Sequence, residues 1–200
     1  MVKRSAKRNR PEAALPSYVA MLRGINVSGS KPVKMDALRA SFEALGFKNV
    51  RTYVQSGNVV FEAKERAAAP LGPKIAARIK RDFGYDVPVL VLGAAELGRV
   101  VEESPFVTQP GIDLTKLHVT FLAGAPAEAG LKKMEGVSSG RDVFHCRGQT
   151  IYLVCPDGYG TTKLSNNAFE RALGVPATTR NWKTVTTLAA LASGEPPQSA

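Results

Sequence analysis

Three stretches of the chain combine glycines, hydroxyl groups and basic side chains, the residue types that can hold an anion. Loop 24–34 reads GINVSGSKPVK, segment 158–166 reads GYGTTKLSN, and segment 177–184 reads ATTRNWKT. Glycine-rich turns and helix N-termini point backbone N–H groups at an anion, and an arginine can bind an oxyanion through two hydrogen bonds. The pattern predicts anion binding, and a plain polar connection is the alternative for each stretch.

The candidate ligand-binding residues come from these stretches and from a turn at residues 56–58. They are Arg23, Gly24, Asn26, Lys31, Lys34, Ser56, Asn58, Lys163, Thr179, Arg180 and Asn181. Among them, the side chains of Arg23, Lys163 and Arg180 are expected to meet around one recess to which both halves of the chain contribute.

Several residues of these stretches also have a purely structural interpretation. A hydroxyl group before a helix can act as an N-cap, which is worth about 1 kcal/mol. Ser165 is such a residue, and so is Thr178 or Thr179. Trp182 is predicted to anchor the last helix in the core and not to serve as a stacking platform.

No combination of residues identifies a reaction. The spacings of the phosphate-binding and dinucleotide-binding glycine loops are absent. His118 and His145 fall on separate predicted strands without the spacing of zinc ligands, and Ser56 joins two strands and not a strand and a helix, unlike a nucleophile elbow. We therefore expect no metal and no cofactor, and the sequence leaves catalysis undecided.

The charge of the chain favours anionic partners. The net charge is +10, from 27 Lys and Arg against 17 Asp and Glu, which suits phosphate-bearing ligands, including a nucleotide or nucleic acid. Residues 1–16 form a predicted flexible basic tail, either an arm that attracts nucleic acid or a solvated end. The chain lacks the apolar run of a secretory signal and the roughly 18 apolar residues of a membrane span, so we expect a cytoplasmic protein without membrane contact.

The elements that must position these loops repeat in the two halves. In the first half, hydrophobic periodicity and turn residues predict strand 18–23, helix 35–45, a hairpin around Ser56-Gly57, helix 70–83 and strand 87–92. A helix at 94–103 follows, and the second half shows strand 117–123, helix 126–134, hairpin 142–155 and helices 165–173 and 182–193. The predicted fold is α+β, with two ferredoxin-like modules in tandem over 17–104 and 105–193, the second with an extra C-terminal helix, and a flexible end at 194–200.

Two strand registers follow from the turns. A two-residue turn at Ser56-Gly57 predicts that Tyr53 faces Val60 and that Arg51 pairs with Glu62.

In the second hairpin, Arg147 is predicted to face Thr150. That register places the thiols of Cys146 and Cys155 about 13 Å apart, too far for a disulfide, so both cysteines are expected to be reduced.

Three blocks of the sequence resemble the bacterial domain of unknown function 1697 family over about residues 18–193. They are LRGINVSG, NVRTYVQSGNVVFEA and GYG…KLSNNAFERALGVPATTRNWKTV. The positions that fit the family pattern are Arg23, Gly24, Asn26, Ser56, Gly57, Asn58, Lys163, Thr179, Arg180, Asn181 and Trp182. The resemblance implies an α+β fold built from ferredoxin-like units in a cytosolic bacterial protein, and it implies no activity. The resemblance also implies that the basic tail before Ser17 is an addition peculiar to this chain.

Two functions are compatible with these features. The first is binding of an anionic, phosphate-bearing ligand such as a nucleotide or nucleic acid. RNA-recognition domains share the predicted element order, but they stack bases on aromatic residues of the third strand, where this chain has only Phe61. The second is a metal-independent enzyme acting on a small phosphorylated or carboxylated substrate. Exposed sheet edges also leave room for a homodimer.

Overall fold

The computed structural model describes residues 14–27, 29–137 and 140–196. Most of the predicted basic tail, residues 1–13, and the end of the predicted flexible C-terminus, residues 197–200, lie outside the described residues. The described chain is α+β, with two four-stranded antiparallel sheets and six α-helices.

The first half of the chain, residues 17–103, contains four strands and three helices. They are β1 (Ser17–Leu22), α1 (Met35–Glu43), β2 (Lys48–Tyr53), β3 (Asn58–Glu62), α2 (Leu71–Phe83), β4 (Val89–Gly93) and α3 (Ala94–Glu102). The second half, residues 104–193, begins with a 3₁₀ turn (Leu114–Lys116). It continues with β5 (Leu117–Leu122), α4 (Glu128–Glu135), β6 (Val143–Arg147), β7 (Thr150–Val154), α5 (Asn166–Leu173), β8 (Ala177–Asn181) and α6 (Trp182–Ser193).

The two halves have the same strand order. The first sheet is ordered β2-β3-β1-β4 and the second β6-β7-β5-β8, so corresponding strands occupy corresponding places. In each half a helix also follows the fourth strand, α3 in the first and α6 in the second. The predicted extra C-terminal helix of the second half is α6, and the helix predicted at 94–103 is its counterpart α3 in the first half. Both helices are needed because they fill the space between the sheets.

The register predicted for the first hairpin was wrong. Tyr53 faces Asn58, and Arg51 faces Val60, so residues 54–57 form a four-residue loop. The Asn58 side chain is completely buried and its amide donates to the Tyr53 carbonyl (3.2 Å), which closes this longer loop. Lys48 takes the place of Arg51 opposite Glu62, because the register shifts between Lys48 and Arg51.

Gly57 holds the loop against the first strand. Its φ is +77°, and a Cβ at this position would lie 2.9 Å from the Leu22 Cβ. The Leu22 N–H donates to the Gly57 carbonyl at 2.8 Å. Only glycine accommodates both the left-handed backbone and this close approach.

The second hairpin has the predicted register. Arg147 faces Thr150 and Cys146 faces Ile151. Cys146 and Cys155 are both free thiols, as expected from their separation along the ladder.

The helices divide into an outer pair on each sheet and a central pair between the sheets. On the first sheet, α1 and α2 bury Phe42 and Ile75 against the outer face of β1 and β3. On the second sheet, α5 buries Phe169 against the outer face of β5 and β7.

The central helices share a core with the inner faces of both sheets. In this core Met21 of β1, Phe121 of β5 and Leu188 of α6 are buried together. Trp182 lies in the same core and is buried, which confirms its predicted place. The central strands are thus covered on both faces, and Phe61 is completely buried. Neither sheet presents its central aromatic residues to a nucleic acid.

No helix among the described residues combines the length and the apolar character that crossing a membrane would require.

Candidate functional site

Arg180 lies on the edge strand β8 and reaches from the second half into the first. It pairs with Val119 across the ladder, on the face directed at the first sheet. Its Nε donates to the Asn58 Oδ1 at 2.6 Å, and its Nη2 donates to the carbonyls of Leu22 (2.9 Å) and Ser56 (3.2 Å). These bonds join the guanidinium to the ends of β1 and β3.

The other nitrogen of the guanidinium binds within the second half. Nη1 donates to the Thr178 Oγ1 at 2.9 Å and to the Thr179 carbonyl at 2.8 Å. Together with the bonds across the boundary, these contacts engage all of the N–H groups that an arginine possesses. The sequence predicted that this fork would bind an oxyanion, and the fork binds the protein's own oxygens.

The charge of Arg180 has an unusual setting. Burial lowers the pKa of Arg180 to about 10, so the group still carries its proton at neutral pH. Its acceptors are three carbonyls, an amide oxygen and a hydroxyl, all uncharged. The positive charge is therefore solvated by dipoles and not neutralised by a contacting carboxylate.

Arg23 crosses the same boundary in the opposite direction. It follows β1, and its backbone N–H donates to the Pro88 carbonyl at 2.9 Å. The guanidinium forms an ion pair with Glu170 and donates to the Asn167 Oδ1 at 2.7 Å, both on α5. Because Arg180 binds the carbonyl of Leu22, the residue before Arg23, the two arginines meet at one place.

Loop 24–34 is organised by the side chain of Asn26. Its Nδ2 donates to the carbonyls of Val33 and Gln55, each at 2.9 Å, and its Oδ1 accepts from the Val33 N–H at 2.8 Å. Asn26 therefore closes the loop and ties it to the 54–57 loop. Its φ of +55° is a left-handed conformation that asparagine tolerates better than most residues.

The remaining candidates of the first half have different surroundings. Gly24 also has a left-handed backbone, with φ of +72°. The Lys31 Nζ donates to the Asp86 carbonyl at 2.7 Å, whereas Lys34 is exposed at the N-cap position of α1. The Ser56 Oγ accepts from the Asn58 Nδ2 at 2.9 Å.

The predicted site residues of the second half also differ in their surroundings, from solvent exposure to helix capping. Lys163 is exposed in the stretch that leads to α5. Ser165 caps α5, as predicted, by accepting from the Ala168 N–H at 3.4 Å. The predicted cap at Thr178 or Thr179 was wrong, because both lie inside β8. Asn181 caps α6 instead and accepts from the Thr184 N–H at 2.8 Å.

Thr179 belongs to a polar cluster on the other face of β8. Its Oγ1 donates to the Asn166 Oδ1 at 2.6 Å and lies 2.7 Å from the Oγ1 of buried Thr120. Tyr159, which the sequence analysis did not single out, lies beside this cluster and stacks on His118 with 4.8 Å between ring centroids. Its place between two glycines, Gly-Tyr-Gly, was the available signal.

The Tyr159 hydroxyl is buried without a hydrogen bond of acceptable geometry. The Thr179 hydroxyl and the Asn166 backbone lie beside it, and Arg23 and Arg180 are close enough to act on it electrostatically. Burial raises the pKa of Tyr159, so its hydroxyl stays protonated at neutral pH.

The two histidines lie apart, as predicted. His118 is on β5, where its Nδ1 lies 3.0 Å from the Lys116 carbonyl and burial lowers its pKa. His145 is exposed on β6. Over the described ranges, no group of three or more His, Cys, Asp or Glu side chains is placed to hold a metal ion.

A cleft of about 250 Å³ opens between the halves beside Arg23. The first half contributes Met21, Arg23, the first turns of α2 around Ala76 and the start of β4; the second half contributes residues 123 and 176–178. Gly72 brings α2 close to β4, because a Cβ there would lie 2.9 Å from the Val89 carbonyl oxygen. Arg23 thus lines the cleft, and Arg180 lies behind it, bonded to the lining residue Thr178. Lys163, expected in the same recess, does not line it.

Comparisons with known proteins identify a solved structure with a similar fold and a protein family. No curated protein matches the chain. A solved structure, that of a conserved bacterial protein from Streptococcus pneumoniae, is similar with a TM-score of 0.70 and 22% sequence identity. The similarity covers 89% of this chain and 99% of that protein, and it shows the fold alone. Residues 15–152 match the profile of a family described as protein of unknown function (DUF1697), and the chain belongs to this family.

Proposed function

We propose that the protein binds a small anionic ligand, one that bears a carboxylate or phosphate group, at the boundary between its halves. The observation that supports this proposal is the meeting of Arg23 and Arg180, which come from opposite halves, at a cleft lined by both halves. Clefts between structural units are the usual location of ligand sites.

The charges at the boundary favour a negative ligand. Glu170 balances Arg23, whereas the acceptors of Arg180 are uncharged, so these three groups carry a net positive charge. A positive charge in a partly desolvated cleft attracts an anion more strongly than the same charge in bulk water. Arg180 would attract the ligand through its charge and not through hydrogen bonds, because its N–H groups are all engaged within the protein.

Arg23 is the residue proposed to touch the ligand. It lines the cleft, and its two bonds to α5 use one N–H of each terminal nitrogen. An arginine has five N–H groups in total, so the others can serve a ligand. Asn58 and Ser56 act indirectly, by holding Arg180.

A small ligand is favoured over a nucleic acid. The helices cover both faces of the central strands, and the aromatic Phe61 of the third strand is buried. Base stacking on a sheet, the mode of RNA-recognition domains, requires an open face. A nucleic acid would have to bind through phosphate contacts of exposed side chains such as Lys34 and Lys163.

A metal-independent enzyme is the second candidate, and Tyr159 is the observation that favours it. A buried, protonated hydroxyl that lacks a well-formed hydrogen bond and lies near two arginines is suited to donate a hydrogen bond to an oxyanion that forms beside it. The substrate would be a phosphorylated or carboxylated compound bound at Arg23, on the side that faces Tyr159.

We also infer that the two halves are tandem ferredoxin-like modules, over 17–104 and 105–193. The repeated order of strand, helix, strand, strand, helix and strand supports this inference, as does the strand order in each antiparallel sheet. In this arrangement the proposed site lies where the first and last strands of the two modules approach one another.

A thermal-shift screen tests the proposal. Phosphate, pyrophosphate, nucleotides, acetate and larger carboxylates are added at two salt concentrations to the wild type, Arg23→Met and Arg171→Met. Arg171 is an exposed arginine of α5 and serves as the matched control. A binding anion should raise the Tm of the wild type and of Arg171→Met, with little rise in Arg23→Met. Equal ligand-induced rises in both variants would exclude Arg23 from the site.

A further inference from the structure

The cleft beside Arg23 has a chemistry that narrows the class of ligand. Resting on the proposed function, we infer that the ligand is a monocarboxylate whose apolar body, a short aliphatic chain or a single ring, fills this cleft. The carboxylate lies at Arg23, and the apolar body lies between α2 and the start of β8.

The walls of the cleft are apolar and come from both halves. Met21, Ala76 and Leu90 line it from the first half, and Ala123 and Pro176 line it from the second. A space with such walls gives water few hydrogen-bond partners, so an apolar group replaces water favourably there.

The volume sets the size of the apolar body. An apolar cavity of about 150 Å³ holds benzene, and sites for drug-sized ligands begin at about 300 Å³. The cleft of about 250 Å³ lies between these values. It suits a short aliphatic chain or a single ring with small substituents, and it is too small for most of a nucleotide.

The polar end of the cleft is defined by two side chains. Arg23 and Thr178 line the cleft, and the Thr178 Oγ1 accepts from Arg180 at 2.9 Å. The head group of the ligand therefore faces Arg23 and Thr178, with Arg180 behind Thr178, and its tail points toward Ala76.

The polar end of the cleft carries a charge that favours a ligand with a single negative charge. Arg23 and Arg180 are opposed by Glu170, which lies in contact with Arg23. A phosphate monoester carries a charge of about −1.5 to −2 at pH 7, so its second charge would meet Glu170 without a further cation. A carboxylate carries one charge and matches the planar fork of an arginine.

Calorimetric titration with a series of carboxylates tests the inference. The series is acetate, butanoate, hexanoate and octanoate, with hexanol, hexyl phosphate and inorganic phosphate as comparisons. Burial of one methylene is worth about 0.8 kcal/mol, so the affinity should rise about fourfold with each added methylene until the cleft is full. Hexanoate should bind more tightly than hexanol and hexyl phosphate.

Two variants of α2 test the location of the apolar body. Ala76 lines the cleft, whereas its neighbour Ala77 is exposed and does not line it. Ala76→Leu should reduce the rise in affinity from acetate to hexanoate, while the affinity for acetate stays unchanged. Ala77→Leu, on the same helix, should behave as the wild type. An unchanged gain in Ala76→Leu would overturn the assignment of this cleft.

The outcomes separate this inference from the proposed function. Anion binding that depends on Arg23 but not on chain length would overturn the inference and leave the proposed function in place. Tighter binding of hexyl phosphate or hexanol than of hexanoate would overturn the choice of a monocarboxylate. Failure of every anion to bind would overturn both.

Discussion

Arg180 connects the two halves through one side chain. Its guanidinium makes hydrogen bonds to the ends of β1 and β3 and to its own strand. The sequence pattern pointed to Arg180 but assigned it to a ligand, because three of its five acceptors, on Leu22, Ser56 and Asn58, lie more than a hundred residues away along the chain. Local sequence carries no information on such distant acceptors.

Replacement of Arg180 should therefore destabilise the protein even without ligand. Arg180→Met removes the donor to the Leu22 carbonyl and to the Asn58 Oδ1, and we expect a loss of roughly 2–4 kcal/mol in the free energy of unfolding. Urea denaturation followed by circular dichroism measures it. The exposed Arg171→Met serves as control and should change stability by less than about 0.5 kcal/mol. A loss equally small in Arg180→Met would show that these bonds contribute nothing.

Asn26 should prove equally structural. Asn26→Ala removes three hydrogen bonds that close loop 24–34, and we expect a loss of roughly 2–3 kcal/mol in chemical denaturation. Asn49 is a matched control, because its φ of +49° is close to the +55° of Asn26 while its side chain is exposed. Asn49→Ala then reports the backbone strain alone. Similar losses of stability in Asn26→Ala and Asn49→Ala would show that the effect comes from backbone strain and not from the lost hydrogen bonds.

At the scale of elements, helices were easier to predict than the last strand. Amphipathic periodicity located all six helices to within a few residues of Met35–Glu43, Leu71–Phe83 and the others. Strand β8 was missed because its sequence, ATTRN, is polar and follows a proline. Its polar side chains pair with partners that only the tertiary structure supplies, namely Thr120, Asn166 and Asn58.

Asn181 caps helix α6, and this cap can be tested separately from the ligand site. Asn181→Ala removes the acceptor for the Thr184 N–H, and we expect a loss of about 1 kcal/mol in the free energy of unfolding. Asn181→Asp retains an acceptor and should recover most of it. A ligand-induced Tm rise that disappears in Asn181→Asp would instead identify Asn181 as a ligand contact.

Helices α1 and α2 are joined by a carboxylate that makes stability depend on acid pH. The Arg78 hydrogen bond, with smaller contributions from Ser41 and Arg81, lowers the pKa of Asp82 to about 2. The Ser41 Oγ on α1 donates to Asp82 on α2 at 2.7 Å. Because the folded pKa lies below the ordinary value of 3.8, this contribution is complete above about pH 4 and is lost as the pH falls toward 2.

Asp82→Asn should therefore flatten the decline in stability between pH 4 and 2 and should cost roughly 1 kcal/mol at neutral pH. Thermal denaturation over this pH range gives the comparison. Asp36→Asn removes a pair in which the Asp36 side chain is 89% exposed, and it should follow the wild-type curve. A parallel decline in Asp82→Asn and the wild type would contradict the assignment.

At the scale of the whole molecule, two sheets and two central helices share one core. Met21, Phe121 and Leu188 from β1, β5 and α6 are buried together in it. The repeated order of elements could be read from hydrophobic periods and turns. The way the halves face each other could not, because it depends on contacts such as Arg23 to Glu170 and Arg180 to Leu22 between distant segments.

The net positive charge of the chain does not by itself create a surface for a polyanion. The net charge of +10 favours polyanions, yet Arg23 and Arg180 are engaged within the protein and the sheet faces are covered by helices. The boundary between the halves contains a small cleft, and the groups at its polar end, Arg23, Arg180 and Glu170, carry a net positive charge. We therefore expect the protein to bind small anions more tightly than nucleic acid.

The most direct test is a map of backbone amide chemical shifts by NMR during titration with hexanoate. We expect the perturbed amides to lie in both halves around the cleft, at Arg23, Gly72 and Leu90 and at Ala123, Ala177 and Thr178. Perturbations confined to one half, or located in loop 24–34 away from these residues, would contradict a ligand site at the boundary.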